Sequence, residues 1–262
     1  MNEIGNEMPD ENVLHVFLHI PKTSGTTVRE FLKPHFTEDE TLYCYGNDLF
    51  RRQRRGELHE LVTDQTKLLF GHCQYGIHHK LARPVKYYTI LRQPVARLIS
   101  FYEYSKSRDL ATTDVARLVK CARSNSILDF YKEFPNSCNE QCRFLANTLS
   151  NTADEALQNL KSMHFGLQDY TALFIGELAP QFGIRHHYFR SKKVRKKASV
   201  YAPHQIAALE QLCAEDMVLY TRAQQIYFER HNSSPALLNF KNQFLQKKAS
   251  IVAKVIPARW FR

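Results

Sequence analysis

The sequence lacks the signals that carry a chain into or across a membrane. No run approaches the roughly 18 apolar residues that would span a bilayer. The first twelve residues, MNEIGNEMPDEN, lack the basic start and apolar run of a secretory signal. We therefore expect a cytoplasmic protein. Repeats and low-complexity linkers are also missing, and 44% of the 262 residues are apolar, which favours one large domain with a sizeable core.

Patterns typical of metal sites and disulfides are missing as well. The six cysteines form no CxxC pair, and none lies at a metal-ligand spacing from a histidine. Cys138 and Cys142 are four residues apart and would share one face of a helix. We expect reduced thiols and no bound metal.

Acidic residues are outnumbered, with 26 Asp and Glu against 36 Lys and Arg and a formal net charge of +10. This balance favours polyanionic partners, namely nucleic acid, an acidic glycan, an anionic membrane or a highly charged nucleotide. Charge alone does not choose among them.

Short apolar runs alternate with helical patterns along most of the chain. Strands are predicted at 13–20, 67–71, 86–91, 163–167 and 184–189. Helices are predicted at 26–36, 94–106, 168–182, 203–213 and 215–231, with a mostly helical stretch at 109–160. This alternation predicts an α/β fold, a central parallel sheet flanked by helices. We divide the chain into a polar segment (1–12), the domain (13–230) and a basic amphipathic tail (231–262).

Three charged or polar side chains follow the ends of predicted strands. Lys22 follows the first strand, His72 the second and Arg92 the third. In open α/β sheets, ligands bind in the crevice outside the carboxyl ends of the strands. If these strands are parallel neighbours, the three side chains converge on one crevice.

The segment HIPKTSGTTV has the composition of an anion site. A loop containing Lys22 and Gly25 leads into a helix that opens with Thr26 and Thr27. Unpaired N–H groups at the helix start attract negative charge. The lysine precedes the glycine, and no aspartate ends a later predicted strand to hold magnesium, so this is not an ATP-binding P-loop. Taken alone, the segment also fits an ordinary strand–helix turn.

The segment LRQPVARLISFYEY supplies a second anion-binding candidate. Arg92 leaves a strand end, and Ser100 lies two helical turns further on. Arginine suits bidentate phosphate binding, although an arginine before a helix is more often a solvated charge.

Together the two segments resemble motifs of sulfotransferases. HIPKTSGTTV resembles the loop PKTGGTT that binds the 5′-phosphosulfate of the donor, and LRQPVARLISFYEY resembles the 3′-phosphate segment LRDPVxRxxSxYxY. FGHCQYGIH, between them, looks like the Gly-His segment of the carbohydrate branch, which includes the heparan sulfate 2-O- and 6-O-sulfotransferases. The resemblance covers roughly residues 13–228, and it departs from the family at Ser24 and Gln93, where glycine and aspartate are usual.

The resemblance implies a P-loop-like sulfotransferase fold and 3′-phosphoadenosine 5′-phosphosulfate as donor, without a metal. It assigns the general base to His72 and stabilisation of the leaving phosphate to Lys22. A histidine base predicts an apparent pKa near 6–7 in the rate. The resemblance assigns donor binding to Lys22, Thr23, Ser24, Gly25, Thr26, Thr27, Arg92 and Ser100.

The implied acceptor is a carbohydrate or other hydroxyl compound, acidic or neutral, and not nucleic acid. Residues 190–197 hold six Lys or Arg, which fits a solvated loop or a clamp for an acidic acceptor. The tail fits contact with the inner face of a membrane, with the domain or with a partner. Two other functions stay open: a nucleotide-dependent small-molecule kinase and a non-catalytic polyanion-binding protein.

Overall fold

A sheet of five parallel strands lies at the centre of the fold, in the order β2–β3–β1–β4–β5. The strands are β1 Leu14–Leu18, β2 Thr41–Cys44, β3 Leu68–Gly71, β4 Val85–Leu91 and β5 His164–Leu167. The structure, a computed structural model, describes residues 12–109, 115–146, 152–186, 188–189 and 200–255.

Helices cover both faces of the sheet. Within the described residues the α-helices are α1 Gly25–Leu32, α2 Asn47–Arg54, α3 Pro94–Ser107, α4 Ala116–Ser124, α5 Ile127–Glu133, α6 Glu140–Ala146, α7 Ala153–Leu160, α8 Thr171–Gln181, α9 Pro203–Leu212, α10 Ala214–His231 and α11 Pro235–Val255. Short 3-10 helices occupy Lys33–His35, Leu58–Leu61, Ile77–Lys80, Pro135–Ser137 and Gln168–Tyr170.

Successive strand residues point to opposite faces, and each face has its own core. Val16 and Leu69 face the layer that contains α6, α7 and α10. Phe17 and Phe70 face the layer of α1, α8 and α11, and their rings stack with centroids 4.5 Å apart. A third cluster joins α3, α4, α5 and α9. The predicted fold class, a central parallel sheet flanked by helices, is confirmed.

One predicted strand is wrong, and one strand and one α-helix were not predicted. Residues 184–189 pair with no strand in their described part. Their apolar side chains Ile184 and Phe189 are buried in the cluster that contains α1 and α8, so burial against helices explains the apolar pattern. The unpredicted elements are β2, which forms one edge of the sheet, and α2.

The basic tail contains α11, one side of which packs against the domain. Asn242 is buried there and accepts hydrogen bonds from the backbone N–H groups of Ala172 and Leu173, at 3.0 and 3.3 Å. Within the described part of the chain, no helix is both long and apolar enough to span a bilayer. The basic segment 190–199, for which both a solvated loop and a clamp for an acidic acceptor were expected, lies outside the described residues.

A buried ionic network connects α3, α6 and α10. The guanidinium of Arg97 is fully buried and pairs with Glu140 at 2.9 Å and with Asp216 at 3.9 Å. The Asp216 carboxylate also accepts from the N–H groups of Gln141 and Cys142, at 3.2 and 2.8 Å. Buried charges persist only when they are paired in this way, so the network fixes α6 against its neighbours.

Replacing Arg97 tests how much stability depends on this network. Arg97→Met leaves Glu140 and Asp216 without their cation, and we expect the free energy of unfolding to fall by about 3–5 kcal/mol. Urea titration measures this. Arg117→Met is the matched control, because the Arg117–Glu133 pair is exposed, and it should cost less than about 1 kcal/mol. A loss below about 1 kcal/mol for Arg97→Met would contradict a stabilising role.

Candidate active site

The three predicted strand-end residues lie at one edge of the sheet. Lys22 follows β1, His72 follows β3 and Arg92 follows β4, and β1 pairs with both of the other strands. The chain leaves β1 towards β2 and β3, and it leaves β4 towards β5 on the opposite side. The carboxyl ends of β1 and β4 therefore form a topological switch point, the usual position of a ligand crevice.

The loop between β1 and α1 has an unusual backbone conformation. Lys22 and Ser24 both adopt left-handed φ angles, 71° and 73°. The hydroxyl of Thr23 donates to the carbonyl of Ile20 at 2.8 Å, so this hydroxyl stabilises the loop itself. The Ser24 side chain makes no capping hydrogen bond, and the first turn of α1 has no acidic residue. The N–H of Thr27 donates to the carbonyl of Ser24 at 2.9 Å, so the N–H groups of Gly25 and Thr26 are the ones that retain the capacity to bind an anion.

Two glycines permit close contacts beside this loop. A Cβ atom on Gly25 would lie 2.0 Å from Cδ2 of His19, so only glycine lets α1 begin against that imidazole. A Cβ atom on Gly71 would lie 2.2 Å from the carbonyl oxygen of Cys44. The same carbonyl accepts from the N–H of His72 at 2.8 Å, which fixes the backbone at the predicted base.

The His72 ring is held in one tautomer. Its Nδ1 lies 2.6 Å from the carbonyl oxygen of His19. A carbonyl can only accept, so Nδ1 carries the proton and Nε2 presents a lone pair. The rings of His19 and Tyr45 lie 4.9 Å from His72, centroid to centroid. Burial lowers the pKa of His72 from its ordinary value of 6.5, so the neutral ring predominates at pH 7.

Arg92 contacts the same loop from the other side. One of its terminal nitrogens donates to the carbonyl of Lys22 at 3.1 Å. The side-chain amide of Gln141 accepts from the Arg92 N–H and donates to the Arg92 carbonyl, each at 2.9 Å. Nε of Arg92 is buried and has no hydrogen-bond partner. Burial lowers the pKa of this guanidinium, and a bound anion would offset that cost.

The helix that follows β4 brings one further side chain to the loop. The ammonium of Lys22 lies 4.0 Å from the ring centroid of Tyr104. Ser100 is one turn earlier on the same face of α3 and is half-buried. Gln93 caps α3, because its side-chain oxygen accepts from the N–H of Ala96 at 2.6 Å. The amide thus caps the helix without placing a negative charge beside Arg92.

Several other titratable side chains have hydrogen-bond partners of their own. Nδ1 of His78 bonds to the Tyr87 hydroxyl at 2.9 Å, and Glu103 accepts from the Tyr201 hydroxyl at 2.7 Å. The Nδ1 of His15 lies 2.9 Å from the Tyr88 hydroxyl. Across the described ranges, no three His, Cys, Asp or Glu side chains group as metal ligands.

Three residues of the site were not identified as functional candidates from the sequence. Tyr45 follows β2, and its hydroxyl lies 2.7 Å from Nδ1 of His19. The short run TLYCYG, rich in aromatic residues and ending in glycine, is a strand signal that could have revealed it. Gln141 lies 49 residues from Arg92 and has no local signal. Tyr104 lies within the quoted motif, but its contact with Lys22 depends on the packing of α3.

The chain was compared with known proteins. No family model matches it, and no curated protein matches it. Among solved structures, it is similar to a crystal structure of mouse sulfotransferase SULT7A1 complexed with PAP. The TM-score is 0.35 and the identity 11%; the match covers 79% of this chain and 66% of that chain, slightly under two thirds.

The backbone strain at Ser24 gives a testable prediction. A non-glycine residue in the left-handed region destabilises the fold by about 1–2 kcal/mol. Replacing it with glycine removes this strain, but glycine loses more conformational entropy on folding, which offsets part of the gain in stability. We expect Ser24→Gly to raise the free energy of unfolding by about 0.5–1 kcal/mol, measured by urea titration. Ser24→Ala is the control, because it removes the hydroxyl but keeps the strain. Equal or lower stability of Ser24→Gly than of Ser24→Ala would contradict the assignment.

Proposed function

We propose that this protein transfers a sulfonate group from 3′-phosphoadenosine 5′-phosphosulfate to a hydroxyl group. The observation that carries the proposal is the loop between β1 and α1, which His72 and Arg92 contact from opposite sides. His72 presents a basic nitrogen there, and Arg92 presents a buried unpaired donor. The resemblance of the segments around both residues to sulfotransferase motifs supports the same function.

The residues around the crevice fit a donor with two phosphate-bearing ends. The N–H groups of Gly25 and Thr26 at the start of α1, together with Lys22, would hold the 5′-phosphosulfate. Thr27 would contribute its hydroxyl, because its N–H already donates to the carbonyl of Ser24 at 2.9 Å. The Arg92 guanidinium and the Ser100 hydroxyl would hold the 3′-phosphate. Thr23 and Ser24 contribute through their backbone, since the Thr23 hydroxyl is used within the loop.

The bound donor supplies an activated sulfonate. His72 Nε2 accepts the proton of the acceptor hydroxyl as the hydroxyl oxygen bonds to sulfur and the bond from sulfur to the phosphate oxygen breaks. Lys22 stabilises the charge that develops on the leaving oxygen. As in phosphoryl transfer, positioning and electrostatic stabilisation then supply most of the rate enhancement.

A carbohydrate is the acceptor that we propose, because the Gly-His segment at His72 is similar to that of the carbohydrate branch.

The alternative function, a nucleotide-dependent kinase, has weaker support. A kinase needs a carboxylate for magnesium, and the residues that follow β3 and β4 are His72 and Arg92. Asp169 does follow β5, so the expectation that no aspartate follows a later strand needs correction. Its carboxylate is close enough to Arg92 to oppose the lowering of the Arg92 pKa by burial, whereas β4 separates β5 from the Lys22 loop at the end of β1.

The first test concerns recognition of the 3′-phosphate. We expect Arg92→Ala to weaken binding of 3′-phosphoadenosine 5′-phosphate by roughly 2–4 kcal/mol, the cost of a lost buried charge contact. Adenosine 5′-phosphate, which lacks the 3′-phosphate, should lose much less. Isothermal titration calorimetry compares the two, with the exposed Arg117→Ala as control. An equal loss for both nucleotides would mean that Arg92 does not bind the 3′-phosphate.

The second test concerns the base. We expect His72→Asn to lower turnover by at least about 100-fold and to leave donor affinity unchanged. The parent rate should rise with pH, because the neutral ring is the active form. Burial lowers the pKa of His72, so the midpoint should lie below the ordinary value of 6.5 and therefore outside the upper half of the range of 6–7 expected from the sequence. Turnover is measured with sulfur-35-labelled donor and an acceptor found by screening.

The variant should also lose the acidic limb of the pH profile. The exposed His79→Asn is the matched control and should retain both turnover and profile. Near-parent turnover of His72→Asn with the limb intact would identify another residue as the base.

A further inference from the structure

We infer that the outward face of α11 binds the surface of an anionic lipid bilayer. This inference is independent of the donor and the reaction. It starts from the way α11 is attached. Leu238, Asn242 and Ala249 are buried against the domain, and the Asn242 side chain donates to the carbonyl of Asp169 at 2.8 Å. The helix is therefore fixed on one side, and its opposite side is presented in a defined orientation.

The opposite side carries an exposed apolar stripe. Leu237, Phe240 and Phe244 are 46%, 67% and 60% exposed. Their spacing of three and four residues puts them on one face of the helix. They are half of the exposed large apolar residues in the described part of the chain and include both of its exposed phenylalanines. Aromatic side chains usually bury such area, so this stripe is unlike the rest of the surface.

Lysines border the stripe on both sides. At 100° per residue, Lys247 lies on one side of it and Lys241 and Lys248 on the other, roughly 50–70° from its centre. All three lysines are exposed, and residues 231–262 contain no Asp or Glu. An apolar stripe bordered by cations is the pattern of a helix that lies in the plane of a bilayer interface. The aromatic rings enter the acyl boundary while the lysines contact anionic headgroups.

A second copy of the chain fits this face less well. Packing two stripes together would oppose the lysines of both copies, and like charges across an interface are unfavourable. The three apolar side chains expose on the order of 300 Å², whereas a stable protein interface buries about 800 Å² on each partner. A bilayer needs no matching partner surface, so the small stripe is sufficient when the headgroups attract the lysines.

Vesicle flotation tests the inference with the whole 262-residue chain. The vesicles contain phosphatidylcholine alone, or phosphatidylcholine and phosphatidylglycerol at about two to one. Each lysine near an anionic surface strengthens binding about fivefold, so binding to the anionic vesicles should be about 100-fold tighter and should weaken with salt. Phe240→Ser/Phe244→Ser should weaken binding to them at least about tenfold.

One further variant isolates the contribution of the lysines to vesicle binding, and two control variants accompany it. Lys241→Gln/Lys247→Gln/Lys248→Gln should remove most of the preference for anionic vesicles. The controls are Val218→Ser, at a residue 43% exposed on α10, and a triple lysine variant at exposed positions elsewhere, namely Lys120→Gln/Lys132→Gln/Lys161→Gln. Both should bind as the parent does. Circular dichroism and the melting temperature confirm that each variant is folded.

Three results would overturn the inference. The first is a parent protein that does not float with anionic vesicles at low salt. The second is parent-like binding by Phe240→Ser/Phe244→Ser, which would assign the binding to other basic residues. The third is a parent dimer in sedimentation that this double variant dissociates, which would make the stripe a contact between copies.

Discussion

The candidate site depends on two hydrogen bonds to the backbone of one loop. The carbonyl of His19 accepts from Nδ1 of His72, and the carbonyl of Lys22 accepts from Arg92. The first bond selects the tautomer that leaves Nε2 basic. The second holds the guanidinium beside the loop, with Nε unpaired. Without these bonds, the three strand ends would still be neighbours, but neither ring nor guanidinium would have a defined orientation.

The rest of the fold supports these two bonds at a distance. Asp216 on α10 accepts from the N–H groups at the start of α6 and pairs with the buried Arg97 of α3. This fixes Gln141, whose amide binds both backbone groups of Arg92. Supporting groups of this kind hold functional side chains within the small tolerances that catalysis requires. The ionic network therefore contributes to the site as well as to stability.

The positions of the main site residues could be predicted from the sequence, because each of these residues directly follows the end of a strand. The apolar runs before Lys22, His72 and Arg92 identified three strands, and a parallel sheet brings their ends together. Features that depend on tertiary packing could not be predicted. Gln141 lies on α6, a helix without a distinctive pattern, and the burial of α6 in the core layer that it shares with α7 and α10 does not reveal which of its side chains contacts Arg92. The strand predicted at 184–189 was wrong for a related reason. A segment that is buried against helices and a segment that pairs in a sheet have the same apolar residues, so the sequence pattern does not distinguish them.

The central claim is that the crevice at β1 and β4 binds a nucleotide with a 3′-phosphate and needs no magnesium. Calorimetry on the unaltered protein tests it most directly. Titrations with 3′-phosphoadenosine 5′-phosphate, with and without magnesium, are compared with ATP and magnesium. The account predicts that the bisphosphate binds with the same affinity in both conditions and more tightly than ATP. Tighter binding of ATP with magnesium, or no binding of the bisphosphate, would contradict it.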